Sequence, residues 1–508
     1  MNKFMNGLSN AANYTLTENG AVTHTTTRSD LLDMFAMGAA MRKRSDEDVI
    51  LMFRKAFAEN PTYALKCLFY IRDVRGGQGE RRFFRVCMRD LAVQNTEAAL
   101  RNLRHVPEFG RWDDLYVFVG TPLEAAALNF MKEQLALDIQ CKTPSLLAKW
   151  LKSENTSSAE SRRLANITRK AMGMNHKQYR KVLSTLRARI NVLERLMSEN
   201  RWDEIEFDKI PSKAGMIYKN AFARHDIERE KSAKEVQTYA EFAKDTTKKV
   251  NAKTLYPYEC VDEAIKNRHM PLNGTQRLMT NKYWDNLADY FNGASFNGLA
   301  VVDTSGSMTW NGGTPIKVAT SLGIYCAEKA KGPFAEHYIS FSRNPRLVKV
   351  EGVDFVDKVD RIIRTDLCEN TDIEKTFNML LDTAIRNGCS QTDLPQNIII
   401  ISDMEFDAAR GAGRTYNWAT RQYEYNNTTA DTLMEGIAKK WTNYGYQMPH
   451  LIFWNVDARQ NNIPMLGNGP ISYVSGFSPS IFQTIMTGKT GYELMMEKLN
   501  SERYAVIG

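Results

Sequence analysis

Between Ser29 and about residue 290, apolar residues recur every three or four positions. After residue 296 they gather instead into short unbroken runs. Ser29-Asp30 reads as a helix start, and Leu31, Leu32, Phe35, Met37 and Met41 give it an apolar face. A second helix opens at Asp46, carries Val49, Ile50, Met52, Phe53 and Phe57, and closes before Pro61. Pro61 begins a third, with Ala64, Leu65, Leu68, Phe69 and Ile71 inside it. The same spacing, with caps and short breaks, predicts helices over 80–93, 112–119, 123–139, 160–172, 176–197 and 226–250. Few segments before 296 read as strands. Short helices in succession predict an all-α, HEAT-like repeat domain over 29–295, without a strict sequence period.

From 296 to 508 strand and helix alternate. Runs at 299–303, 337–341, 346–350, 397–402, 450–455 and 471–475 read as strands. The intervening 314–331, 353–364, 372–386 and 429–444 read as helices, as do 479–486 and 491–499. That alternation predicts an α/β domain with a doubly wound, parallel-rich sheet. Asn292-Gly293-Ala294 marks the boundary before it, and 405–428 is long enough to be an insertion. Residues 1–28, rich in Asn, Thr, Ser and Gly, read as a flexible arm.

Composition narrows the class. Of 508 residues, 43% are hydrophobic and 25% charged, as in globular proteins. No run approaches the ~20 apolar residues of a membrane span, and no signal-peptide core is present, so a cytoplasmic location without membrane contact is expected. The seven cysteines are scattered without a CxxC pair, which argues against a disulfide framework or zinc site. Charge is divided unevenly. Residues 1–295 hold 47 Lys+Arg against 36 Asp+Glu, and residues 296–508 hold 20 against 23. The basic excess therefore belongs to the first part, which implies a polyanionic partner there.

Two kinds of candidate chemistry stand out. In LAVVDTSGSM (Leu299 to Met308) an apolar strand ends in Asp303, with Ser305 and Ser307 alternating around Gly306. Three oxygens aimed at one point from a strand's carboxyl end suit a hard cation such as Mg²⁺. The second kind is basic. RDVRGGQGERRFFR brings Arg72, Arg75, Arg81 and Arg82 around three glycines, either as a phosphate contact or as a turn whose arginines pair with Asp73, Glu80 and Asp90. Farther on, Arg169, Lys170, Lys177, Arg180, Lys181 and Arg187 belong to a run with few acids. Lys177, Arg180, Lys181 and Arg187 share one helical side, which is either a nucleic-acid contact or a solvated face.

The DxSxS pattern at Asp303, Ser305 and Ser307 resembles the metal-ion-dependent adhesion site of von Willebrand factor A domains. Thr371 in ENTDIEKTF and Asp403 in NIIIISDMEFD follow in the order that family requires. The resemblance implies that Asp303, Ser305, Ser307, Thr371 and Asp403 ligate Mg²⁺, or Mn²⁺ or Ca²⁺. Helical repeats followed by such a domain resemble the Ro-type, TROVE-like RNA-binding proteins. The closest resemblance is to an uncharacterised family of plant, bacterial and phage proteins. It rests on RDVRGGQGER, FGRWDDL, VVDTSGSM, NTDIEKTF, ISDMEFD, WNVD and YVSGFSP. In Ro-type proteins the repeats close into a ring and bind small structured or misfolded RNA.

These readings lead to a non-catalytic, monomeric RNA-binding scaffold in RNA quality control. The alternative is an adaptor whose metal captures a carboxylate from a partner protein. A Mg²⁺-dependent nuclease ranks third, because no second carboxylate-rich pocket accompanies the first. The seven histidines show no catalytic or ligand spacing, so no enzyme is expected.

Overall fold

A computed structural model describes residues 13–508, apart from 233, 235, 292, 294–295, 342–343, 366–371, 409–412, 418–421, 427–431, 467–470 and 487. The chain forms two compact units that interleave along the sequence. The expected boundary at 295 does not separate them. One unit gathers the residues up to 67, then 256–270 and 287–501, and the other gathers 68–255, 271–286 and 502–508.

The first unit is built on a six-stranded sheet. Strands β1 (Tyr14–Leu16) and β2 (Val22–His24) form a separate antiparallel pair. The sheet uses β3 (Gly298–Asp303), β4 (His337–Phe341), β5 (Arg346–Lys349) and β6 (Asn397–Ser402). A second hairpin, β7 (Gly413–Asn417) with β8 (Gln422–Asn426), falls in the long 405–428 connection. Strands β9 (His450–Asn455) and β10 (Ile471–Ser475) complete the sheet in the order β10-β9-β6-β3-β4-β5. All pairings are parallel except β4 with β5. Strands β3, β9 and β10 are buried throughout, and β3 and β9 carry unbroken apolar centres, LAVV and LIFW, rather than an alternating pattern. The Trp310–Lys329 helix follows β3 and packs on it and on β4 and β6.

Two expectations change here. Residues 13–28 are an ordered hairpin rather than an arm. Their polarity misleads because polar side chains bond one another and the local backbone. Asn13 Oδ1 accepts from Thr25 Oγ1 at 2.8 Å and Thr26 N at 3.1 Å, and Asp33 Oδ1 accepts from Thr27 N at 2.7 Å. The arm's residues 1–12 lie outside the described residues. The helices over 29–67 join the sheet unit instead of a repeat. Asp30–Met37 buries six of its eight residues, more than one exposed-face helix would, and packs beside β10. There Ser475 Oγ donates to the Phe35 carbonyl at 3.3 Å.

The second unit is helical. The predicted 176–197 helix is two, His176–Arg189 and Leu193–Ser198, because Asn191 turns the chain with φ of 49°. The predicted 226–250 helix reduces to Asp226–Glu230 and Tyr239–Lys244. In the first of these Arg229 is buried, and its Nη1 donates to the Trp202 and Ile205 carbonyls. Residues 502–508 return to this unit. Tyr504 is fully buried there, stacked on Phe109 and edge-on to Tyr70, with its hydroxyl donating to Asp73 at 3.0 Å. No described helix is long and apolar enough to cross a membrane.

Candidate functional site

The chain leaves β3 for β4 on one side of it, then reaches β6 on the other side. The space beyond the carboxyl ends of β3 and β6 is therefore the sheet's topological switch point. Val302 pairs with Ile401 across these two strands, which sets their ends level. Asp303 ends β3 and Asp403 directly follows β6. The structure thus brings together two carboxylates from positions 100 residues apart.

Both are buried, with Asp303 0% and Asp403 1% exposed. Asp303 Oδ1 accepts from the Ser305 backbone at 2.9 Å and Oδ2 from Ser402 Oγ at 2.5 Å. The Ser305 and Ser307 hydroxyls are 3.0 Å apart. Asp403 Oδ2 accepts from Arg459 Nη2 at 2.7 Å, and Arg459 Nη1 also donates to Glu18 Oε2 at 2.6 Å. Burial first, and the neighbouring Asp403 second, push the Asp303 carboxyl up to about 7. Burial raises Asp403 as well, although Arg459 pulls against it. Glu405, two residues on, is pushed up to about 7 by burial despite accepting from Glu18 N at 2.7 Å, and its Oε1 is buried without a hydrogen-bond partner among the described residues.

This donor set is made of oxygen alone, with two carboxylates held in mutual repulsion beside two hydroxyls. It fits a hard divalent cation. Among the described residues no three His, Cys, Asp or Glu side chains gather as a metal centre, so the hydroxyls are an essential part of such a set. Of the five ligands expected, Asp303, Ser305, Ser307 and Asp403 converge, and Thr371 lies outside the described residues. Sequence reasoning missed Ser402, Glu405, Arg459 and Glu18. Ser402 precedes Asp403 and Glu405 lies two residues after it, whereas Arg459 and Glu18 are distant in the chain and gave no local signal.

The basic residues divide sharply. Arg72 is buried, and its Nε and Nη2 donate to Asp114 Oδ2 at 2.9 and 2.7 Å, so it is not a surface contact. Arg75 Nη1 donates to the Glu108 carbonyl at 2.5 Å. The Arg82 backbone N–H is bonded to Glu80 at 3.0 Å. Arg169 pairs with Glu154 at 3.1 Å and donates to the Met174 carbonyl at 2.8 Å. Arg187 is committed inward as well, donating at 2.9 Å to the carbonyls of Ala148 and Leu151 and to Ser153 Oγ. That removes it from the one-sided basic face the helical spacing predicts. Lys170, Lys177 and Lys181 are exposed and have no hydrogen-bond or ion-pair partner among the described residues. Arg180 is exposed too, bonded among the described residues only to the His176 carbonyl at 3.3 Å. Arg81 is exposed and likewise unpaired.

Comparison with known proteins gives this chain no established activity. "Uncharacterized protein L728" of Acanthamoeba polyphaga mimivirus is 28% identical over 516 residues, covering 94% of this chain and 85% of the relative. The crystal structure of the Deinococcus radiodurans RO (RSR) protein is similar over 94% of this chain and 100% of that one, at 14% identity and a TM-score of 0.42. Residues 297–505 match a family described as Domain of unknown function (DUF7788). Matches at 17–145 and 138–291 take in more than half of the chain, which belongs to the family described as Domain of unknown function (DUF2828).

Proposed function

We propose that this chain is a non-catalytic RNA-binding scaffold, holding small structured or misfolded RNA on the basic face of its helical unit. The observation that carries the reading is the set Lys170, Lys177, Arg180 and Lys181. All four are exposed, close together in the chain and without an acidic partner among the described residues. A solvated helix face ordinarily mixes signs, whereas unpaired cations in a row suit the phosphates of a polyanion. The net excess of Lys and Arg before residue 296 supports the same partner. In this reading the sheet unit is a von Willebrand A-type domain. Asp303, Ser305, Ser307 and Asp403, with Thr371, would hold Mg²⁺, Mn²⁺ or Ca²⁺, and the cation would offset the repulsion between the two carboxylates.

Fluorescence anisotropy with a labelled hairpin RNA, at several salt concentrations between 50 and 200 mM, tests the proposal. Affinity is expected to fall log-linearly with salt. Replacing Lys170, Lys177, Arg180 and Lys181 by Gln should lower that slope by about three to four. The RNA should be recovered at full length after incubation in Mg²⁺. An unchanged slope in the variant removes this face as the contact. Cleavage that disappears in Asp303→Ala refutes the non-catalytic reading.

A further inference from the structure

In the helical unit, RWDDL places two adjacent carboxylates, Asp113 and Asp114, below the surface at 7% and 0% exposure. Asp114 Oδ2 accepts from Arg72 and from the Arg111 backbone at 2.9 Å, and its Oδ1 accepts from Arg85 Nε at 2.6 Å. Asp113 accepts from Arg111 Nε and Nη2, both at 2.8 Å, with Arg85 Nη2 at 3.1 Å and Lys152 Nζ at 3.9 Å. Two acids thus serve three guanidiniums and an ammonium. Asp113 is held below the ordinary carboxylate range, because Arg111, Arg85 and Lys152 together outweigh its burial.

The surplus charge faces outward. Arg81 immediately precedes the Arg82–Gln94 helix that carries Arg85, and that helix has no acid in its first turn. Glu80 beside it is buried, with Oε1 accepting from the Arg82 backbone. Arg81 itself is exposed and unpaired among the described residues. Desolvation of its inner edge, then the fields of Arg111, Arg85 and Arg72, press its guanidinium below the ordinary arginine value. The cations around it are not loose. The Arg111 guanidinium carbon sits over the Trp150 ring, 3.9 Å from its centroid, and Arg85 is pinned by both aspartates. Fixed guanidinium forks with more positive charge than their acids can neutralise match a dianionic, tetrahedral oxyanion.

We propose that Arg81, Arg85, Arg111 and Lys152 form a binding site for a phosphate monoester, either the end of an RNA chain or a free nucleotide. The site shares no residue with the lysine face of the His176–Arg189 helix, and its test does not use that face.

The full-length protein is titrated with inorganic phosphate at constant ionic strength, followed by melting temperature and by calorimetric binding. Phosphate should raise the melting temperature where chloride of equal ionic strength does not. Arg81→Gln should melt higher than wild type without phosphate, because it relieves the repulsion. It should also bind phosphate roughly tenfold more weakly or worse, the loss of one charge-assisted hydrogen bond. Arg81→Lys, which keeps the charge but not the fork, should fall between them. The two sources separate in a further arm. A preference for 5′- or 3′-phosphorylated over unphosphorylated oligonucleotide, lost in Arg81→Gln, assigns an RNA end. Equal binding of all the oligonucleotides, with adenosine monophosphate bound as tightly, assigns a free nucleotide. No phosphate-specific stabilisation of the wild type, or equal phosphate affinity in Arg81→Gln, overturns the site.

Discussion

Ser402 donates to Asp303 and Arg459 to Asp403, so each buried carboxylate at the switch point has a donor within the chain itself. Neither donor cancels the repulsion between the two acids. Replacing Asp303 by Asn removes one of those charges while keeping the shape. It should therefore abolish stabilisation by Mg²⁺ without lowering the melting temperature in EDTA. For wild type, a cation at a hundredfold excess over its Kd should add about 2.7 kcal/mol of stability. Scanning calorimetry in EDTA and in Mg²⁺ checks both, and a wild type indifferent to the change removes the metal. Asp303, Ser305 and Ser307 were legible because they sit within five residues of one another. Arg459 and Glu18 were not, since only the folded chain brings them to Asp403. The glycine-rich turn was half legible. Gly79 does turn at φ of 67°, but Gly77 is required by packing, as a Cβ there would meet the Tyr70 carbonyl oxygen at 2.0 Å.

The His176–Arg189 helix shows how one period carries two jobs. Its buried side is Tyr179, Leu183 and Leu186, and Asn175 caps it in a reciprocal pair with Gln178. Charge alone could not tell Arg187 from Lys177. The first reaches three inward acceptors, and the second reaches water. Arg187→Ala should then destabilise the helical unit by about 1–3 kcal/mol, through buried carbonyls left without donors. Urea denaturation checks this, and the fourfold Gln variant should by contrast keep its midpoint. Equal midpoints for Arg187→Ala and wild type would return Arg187 to the surface set. Four of the six sheet strands fall on their expected bounds, because unbroken apolar runs end abruptly at polar residues. The overlong helices expected over 176–197 and 226–250 failed where a positive-φ Asn and a buried arginine end the period.

At the scale of the whole chain, a reading by linear order places one boundary, whereas the chain passes between the two units five times. Charge and period are averages along sequence, so they could not reveal that 13–67 belongs with the sheet or that 502–508 belongs with the helices. Tyr504 makes the second point testable. Truncation to Ala empties a fully buried aromatic site between Phe109 and Tyr70, which should cost about 3–5 kcal/mol. Hydrogen exchange should then speed up through residues 68–118, and unchanged protection there would mean that 502–508 is not part of that core. The central claim, that the helical unit holds RNA on its unpaired cations, is tested most directly by ultraviolet crosslinking of RNA to the full-length protein, with the linked peptides identified by mass spectrometry. Crosslinks concentrated on peptides containing Lys170, Lys177, Arg180 or Lys181 are the predicted result. Crosslinks confined to other peptides, or none above an RNA-free control, would contradict it.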